Sequence, residues 1–263
     1  MSEFKRLVDI MARLRAPDGC PWDREQNHET LKPYLIEEAY EVLDAIDDED
    51  PKGLTEELGD VLLQVVFHAQ VAREAGHFEI EDVARAISDK LVRRHPHVFG
   101  DVEAKNSDEV LVNWEQIKSE ERKEKGKENA SQMDGIPRHL PALQRAERIQ
   151  KKAARVGFDW ETTEEIAAKA REEVEEFIEV LASGDRDKML DELGDVLFSI
   201  VNLARFVGLP PEEALTRTNT KFIRRFNYIE EKLRRRGTTP EASTLEEMDE
   251  LWEQSKTALS GDS

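Results

Sequence analysis

The chain has 263 residues, enough for one large domain or two ordinary ones, each burying its own core. A net charge of −20 argues against direct nucleic-acid binding, because displacing phosphate counterions requires a basic surface. Cys20 is the sole cysteine, which excludes an intrachain disulfide, and a reducing cytoplasm is the expected setting.

Ala, Glu, Leu, Lys and Arg are abundant while Gly and Pro are sparse, so an all-α fold is expected. Met1 to Asp9 is charged and amphipathic, with no apolar leader segment. No stretch approaches the ~20 apolar residues of a membrane span. Leu31, Leu35, Ala39, Val42, Leu43 and Ile46 then share one helical face. Pro51 suits the first turn of the next helix, whose buried stripe is read as Leu54, Leu58, Val61, Leu62, Val65 and Val66. A third helix is expected from about Glu79 to Arg94, where Pro96 disfavours continuation at His95. A further helix carries Val110, Leu111, Trp114 and Ile117. Lys125 to Asn129 is polar, and Gly135, Pro137 and Pro141 punctuate the residues after it, so this region reads as a linker.

The plan then returns. Val174, Phe177, Ile178 and Leu181 mark one helix; Leu190, Leu193, Val196, Leu197, Ile200 and Val201 mark the next. Pro210-Pro211 opens a third helix running to about Arg236, and Leu245 to Ala258 supplies the last. Several segments match between halves. Asp60-Val61-Leu62-Leu63 pairs with Asp195-Val196-Leu197-Phe198, and Lys90-Leu91-Val92-Arg93-Arg94 with Lys221-Phe222-Ile223-Arg224-Arg225. Trp114-Glu115-Gln116 likewise pairs with Trp252-Glu253-Gln254. A repeat this long indicates duplicated domains: 1–125, a linker at 126–139, and 140–263.

The chemistry lies in an acidic signature present in both halves. Glu37, Glu38 and Glu41 precede Glu57-Leu58-Gly59-Asp60; Glu172, Glu173 and Glu176 precede Glu192-Leu193-Gly194-Asp195. The second cluster starts 20 residues after the first Glu in each copy, so two helices joined by a short turn bring the carboxylates together. Like charges at i, i+3 and i, i+4 repel, and a hard divalent cation with oxygen ligands, Mg²⁺ above all, reverses that penalty. A solvated acidic face would explain one such run but is a poor explanation for two at the same spacing. Gly59 and Gly194 fall mid-helix, where Gly costs roughly 1 kcal/mol relative to Ala; close approach of the acidic helices is the expected reason.

Lys90 with Arg94, and Lys221 with Arg225, are i, i+4 pairs suited to polyphosphate. Trp114 and Trp252 fit base stacking or helix packing about equally. Glu25-x-x-His28 and Glu74-x-x-His77 mimic a di-iron pattern, but neither lies within a long helix or recurs, so chance explains them. His95-Pro96-His97 reads as helix-end chemistry.

These motifs, together with Gly19-Cys20-Pro21-Trp22-Asp23, Arg93 to Phe99 and Val156-Gly157-Phe158-Asp159-Trp160, resemble the MazG family of the all-α NTP pyrophosphatase superfamily over nearly the whole chain. The resemblance implies two tandem MazG-type helical-bundle domains, a homodimer, and Mg²⁺ dependence with Mn²⁺ as an alternative ion. It also implies hydrolysis of nucleoside triphosphates, ATP among them, to monophosphate and pyrophosphate. By the same resemblance Glu172, Glu173, Glu176, Glu192 and Asp195 are metal-binding and catalytic acids. Asn219, Lys221, Arg224, Arg225 and Trp252 face substrate. Glu37, Glu38, Glu41, Glu57 and Asp60 are the metal-binding equivalents in the first domain, and Lys90, Arg94 and Trp114 the substrate-binding ones. Ser88 replaces Asn219 in the first copy and Pro96 shortens its basic helix, so the C-terminal domain is expected to be the main catalyst. The rivals are a non-catalytic regulatory or nucleotide-binding module, and a narrow-specificity pyrophosphatase for dUTP or an alarmone.

Overall fold

The computed structural model describes residues 2–104, 106, 109, 110, 113, 114, 117, 120, 121 and 131–259. Every regular element among them is helical, as the composition leads one to expect. The chain divides into two compact units, 1–128 and 129–263. Of the expected linker, 126–130 lies outside the described residues and 131–139 is made of turns and irregular backbone. Leu111, in the expected fourth helix, also lies outside them.

The first unit runs α1 (Glu3–Leu14), α2 (Pro21–Glu25), α3 (Lys32–Asp47), α4 (Pro51–Glu74), α5 (Ile80–Arg94) and α6 (Pro96–Phe99). Asp50 caps α4 by accepting from the Lys52 N–H, and Pro51 occupies the first turn, where its missing N–H costs nothing. The core is small: Val8, Met11, Leu31, Val66, Phe67, Ala69 and Ile80, where α1 crosses α4 and α5 begins. Beside it the nearly buried Arg15 guanidinium bonds Glu74 at 2.7 Å and lies 5.5 Å from the Phe67 ring centre.

The second unit runs α7 (Ala142–Ala154), α8 (Thr163–Leu181), α9 (Arg186–Phe206), α10 (Pro211–Arg235), a 3-10 turn (Pro240–Ala242) and α11 (Leu245–Ala258). A capping box between Thr162 and Glu165 starts α8, and another between Thr244 and Glu247 starts α11. Ile229, Leu233 and Leu251 form the centre of the α10–α11 contact, with Phe226, Met248 and Trp252 around it. In each unit the longest packing interface is a helical hairpin, α3 on α4 and α8 on α9.

Two expectations from patterning need correction. The apolar stripes of the hairpins are not wholly buried: Leu35, Leu43, Ile46, Leu58 and Leu62 are exposed in the first unit. Leu190, Leu193, Leu197 and Ile200 are exposed in the second, whereas Val66 and Val201 are at 1%. The long helices are apolar on more than one side, and only one side meets the unit's own core. The mid-helix glycines are not needed for a close helix crossing within a unit either, since a Cβ added at Gly59 or Gly194 meets nothing within 4 Å.

Near the end of the first unit, Glu121 is gripped by Arg94 (2.5 Å) and Arg93 (2.7 Å). The hydrogen bond from Arg94 is the main force holding its carboxyl at about 2, against the opposing effect of burial and with Arg93 adding to the pull. A carboxyl depressed in the folded state contributes stability above its ordinary pKa near 4.5, and that contribution disappears as pH falls from there through about 2. Glu121→Gln is therefore expected to lower the denaturation midpoint at pH 7, with the gap to wild type closing as pH drops below about 4.5. A gap independent of pH in denaturant titrations would refute this assignment.

Candidate metal and phosphate site

The hairpins place acids from two helices side by side. Glu38 and Glu41 on α3 and Glu57 on α4 each offer a carboxylate oxygen within 4.8 Å of the others. On α8 and α9, Glu173, Glu192 and Asp195 do the same. Residues correspond at a constant offset set by Asp60 and Asp195, so the two triads draw on one set of four positions. They share Glu38/Glu173 and Glu57/Glu192 and differ in the third member. Asp60 lies close enough to raise the proton affinity of Glu38 and Glu57. Glu37 is exposed and outside the triad.

The electrostatics are those of anions held together. Glu38 is pushed up by burial first, then by the charges of Asp60 and Glu41. Glu57 is pushed up by desolvation, then by Glu41 and Asp60. Glu176 is raised by desolvation, with Glu173, Glu172 and Glu192 adding to it and Lys169 opposing. Oxygen donors that converge from two helices and raise one another's proton affinity fit a hard divalent cation such as Mg²⁺.

Sequence reading missed two neighbours of the acids. Lys169 stands one turn before the second signature, where its Nζ lies 2.8 Å from Glu172 and 2.9 Å from Glu173. These two partners raise the Lys169 pKa. The first unit has Tyr34 at the corresponding place, edge-on to Trp22. The signal was available, since a Lys three and four residues before paired acids is the spacing for helix ion pairs. In the first unit the buried Gln64 lies close enough to Glu38 to oppose the rise in its proton affinity; its place one turn after Asp60 on the acidic face was the clue.

The basic candidates are placed differently. Lys221 and Asn219 are exposed on α10, and Arg224 is on the same helix. The Arg225 guanidinium lies 5.4 Å from the Trp252 ring centre, and Phe222 packs against the same ring. Among the described residues no ion pair joins Lys221 or Arg225 to the acidic triad. In the first unit Lys90 is exposed on α5, Arg94 is engaged by Glu121, and Trp114 meets His95 edge-on at 5.2 Å. The structure thus gathers the acids in both units, and of the α10 cations places Arg225 against the packed aromatics.

Comparison with known proteins finds the same family domain around each hairpin. The family model described as the MazG nucleotide pyrophosphohydrolase domain matches residues 26–99 and again 161–229, each span containing one acidic hairpin. A protein of Escherichia coli strain K12 named nucleoside triphosphate pyrophosphohydrolase is 51% identical over 97% of this chain and 98% of its own length. The Thermotoga maritima nucleoside triphosphate pyrophosphohydrolase/pyrophosphatase MazG is 49% identical over 96% of this chain and 95% of its own. The uncharacterized protein YabN of Bacillus subtilis is 50% identical over 97% of this chain, which spans 52% of YabN. Two copies of the matched domain and near-full-length likeness have one meaning: the chain belongs to the MazG nucleotide pyrophosphohydrolase family.

Proposed function

We propose that this chain hydrolyses nucleoside and deoxynucleoside triphosphates to monophosphate and pyrophosphate, clearing the nucleotide pool with broad base tolerance. The observation that carries the proposal is the convergence of Glu173, Glu192 and Asp195 from α8 and α9, repeated by Glu38, Glu41 and Glu57, in a chain of this family. Glu173, Glu192 and Asp195 would hold the Mg²⁺, with Glu172 and Glu176 beside them. Bound there, Mg²⁺ supplies Lewis-acid polarisation of phosphoryl oxygens and a water of lowered pKa for attack at the α-phosphorus. An acid of the set not engaged by metal would take the proton of the attacking water. Lys169, now paired with Glu172 and Glu173, would contribute positive charge for phosphate beside the acids, and Lys221, Arg224 and Arg225 would give further charge for the triphosphate. Asn219 and Trp252 complete the substrate side, and Lys90, Arg94 and Trp114 are their first-unit counterparts.

The second unit is the principal catalyst in this reading. It has Lys169 within the acidic set, while in the first unit Arg94 is held by Glu121. With Mg²⁺ and mixed nucleoside triphosphates, purified chain is expected to release pyrophosphate, and a chelator to stop it. Glu173→Ala is expected to lower kcat on the order of 10²–10³-fold, the range for losing one strong electrostatic contributor, and Glu38→Ala by far less. Orthophosphate as the sole product would contradict the reaction, and equal losses in the two variants would contradict the ranking.

We also propose a homodimer built on the exposed apolar faces of the hairpins. Leu190, Leu197 and Ile200 are each about half exposed or more, a large apolar face for a water-facing helix. Gly194 leaves the same helix bare, a loss of helix propensity that close packing by a second copy would explain. Leu197→Glu is expected to convert a dimer to monomer in sedimentation experiments. A wild-type chain that sediments as a monomer at micromolar concentration would remove the proposal.

A further inference from the structure

Two imidazoles meet in the first unit, away from the acids. His28 is exposed in the turn before α3, and His68 is partly buried on α4. Their Nδ1 atoms are 2.8 Å apart, the ring centres 5.1 Å apart, and the ring planes differ by 13°. Centres so much farther apart than the nitrogens mean that the rings meet edge to edge, nitrogen facing nitrogen, and are not stacked face on face. At this distance one Nδ1 carries a proton and the other presents its lone pair. A metal ion taking the place of that proton would turn the hydrogen bond into a chelate.

Both rings are positioned by their surroundings. The Asn27 side chain accepts from the N–H groups of Glu29 at 2.9 Å and Thr30 at 3.2 Å, closing the turn around His28. Arg15 donates to the Gln26 carbonyl at 3.1 Å on one side of this turn, and Leu31, 1% exposed, anchors the other. On α4, His68 stands between Phe67 and Ala69, both members of the core. Burial lowers the proton affinity of His68, with His28 adding to the effect, which favours the neutral ring that ligates metal.

The pair is separate from the acidic site, since His68 follows Asp60 by eight residues, about 12 Å along α4. Duplication supplies an internal control. At the offset of Asp60 and Asp195, Thr163 and Leu203 take the places of His28 and His68. The second unit builds the same hairpin without these imidazoles, so the fold does not require them. Among the described residues no third His, Cys, Asp or Glu completes a cluster with the pair, which leaves the other coordination positions to water.

Imidazole nitrogens suit zinc, copper and nickel, whereas Mg²⁺ takes oxygen ligands. We propose that His28 and His68 form a second metal site, a two-nitrogen chelate for Zn²⁺, chemically distinct from the acidic triads. Tetrahedral Zn²⁺ with Zn–N bonds of about 2.0–2.1 Å holds two nitrogens about 3.3 Å apart, so the rings separate by roughly half an ångström and tilt to converge on the ion. The exposed His28 makes that movement. Bound there, the ion ties the turn before α3 to α4 and stabilises the first unit.

The test uses the full, untagged, metal-free chain with excess Mg²⁺ present to occupy oxygen-donor sites. His68→Leu and His28→Thr import the second unit's residues, the second at an exposed position, and thermal melts without Zn²⁺ establish that each is folded. Calorimetry is expected to show Zn²⁺ binding to wild type that Mg²⁺ does not displace, and binding about tenfold weaker or more in each variant. Zn²⁺ is expected to raise the melting temperature of wild type and to leave those of the variants unmoved. With Cu²⁺ as a spectroscopic probe, electron paramagnetic resonance is expected to show splitting from two nitrogens in wild type and its loss in the variants. Zn²⁺ binding of equal strength in wild type and both folded variants would overturn the inference, by assigning the ion to other ligands. No Zn²⁺ uptake by wild type in the presence of Mg²⁺ would overturn it as well.

Discussion

Carboxylates on adjoining helices repel, and packing α3 on α4 and α8 on α9 forces them to within a few ångströms of each other. Nothing in helix propensity or core formation calls for this arrangement. Glu38, Glu57 and Glu176 all show the strain as raised proton affinity, with desolvation the first cause and neighbouring acids behind it. A protein that repeats the same electrostatic cost in two separate units gains something from it, and neutralisation by a divalent cation is the simplest gain. In the second unit Lys169 already supplies part of that compensation, bonded to Glu172 and Glu173.

The duplicated domains share this device and differ in what surrounds it. In the first unit the space beside the acidic helix is closed by Met11 and Phe67, Tyr34 stands in the place of Lys169, and Arg94 is locked to Glu121. In the second, Lys169 stands among the acids, bonded to Glu172 and Glu173. Each difference adds polar function to the second copy and packing to the first. This division is what a duplicated enzyme would show if one copy kept the chemistry while the other kept the fold.

Much of this is legible in the sequence, and the limits have physical causes. Acidic residues at i, i+3 and i, i+4 on helices joined by a short turn have only one way to meet, so the converging acids are expected from spacing alone. The all-helical fold is expected from composition and 3.6-residue periodicity. Periodicity does not say which apolar side meets the unit's own core, so Leu58 and Leu62 read as buried and are exposed. Gly59 and Gly194 read as close-approach residues, although the open space beside them becomes visible only in three dimensions.

The most direct test is divalent-ion uptake by the metal-free chain, followed through the electron paramagnetic resonance of free Mn²⁺ with and without a non-hydrolysable nucleotide. Clustered acids that exist to hold a cation predict saturable Mn²⁺ binding that nucleotide tightens and that Glu192→Gln sharply weakens. Free Mn²⁺ undiminished by folded wild-type protein, in the presence of nucleotide as in its absence, would contradict the claim that these helices converge around a metal.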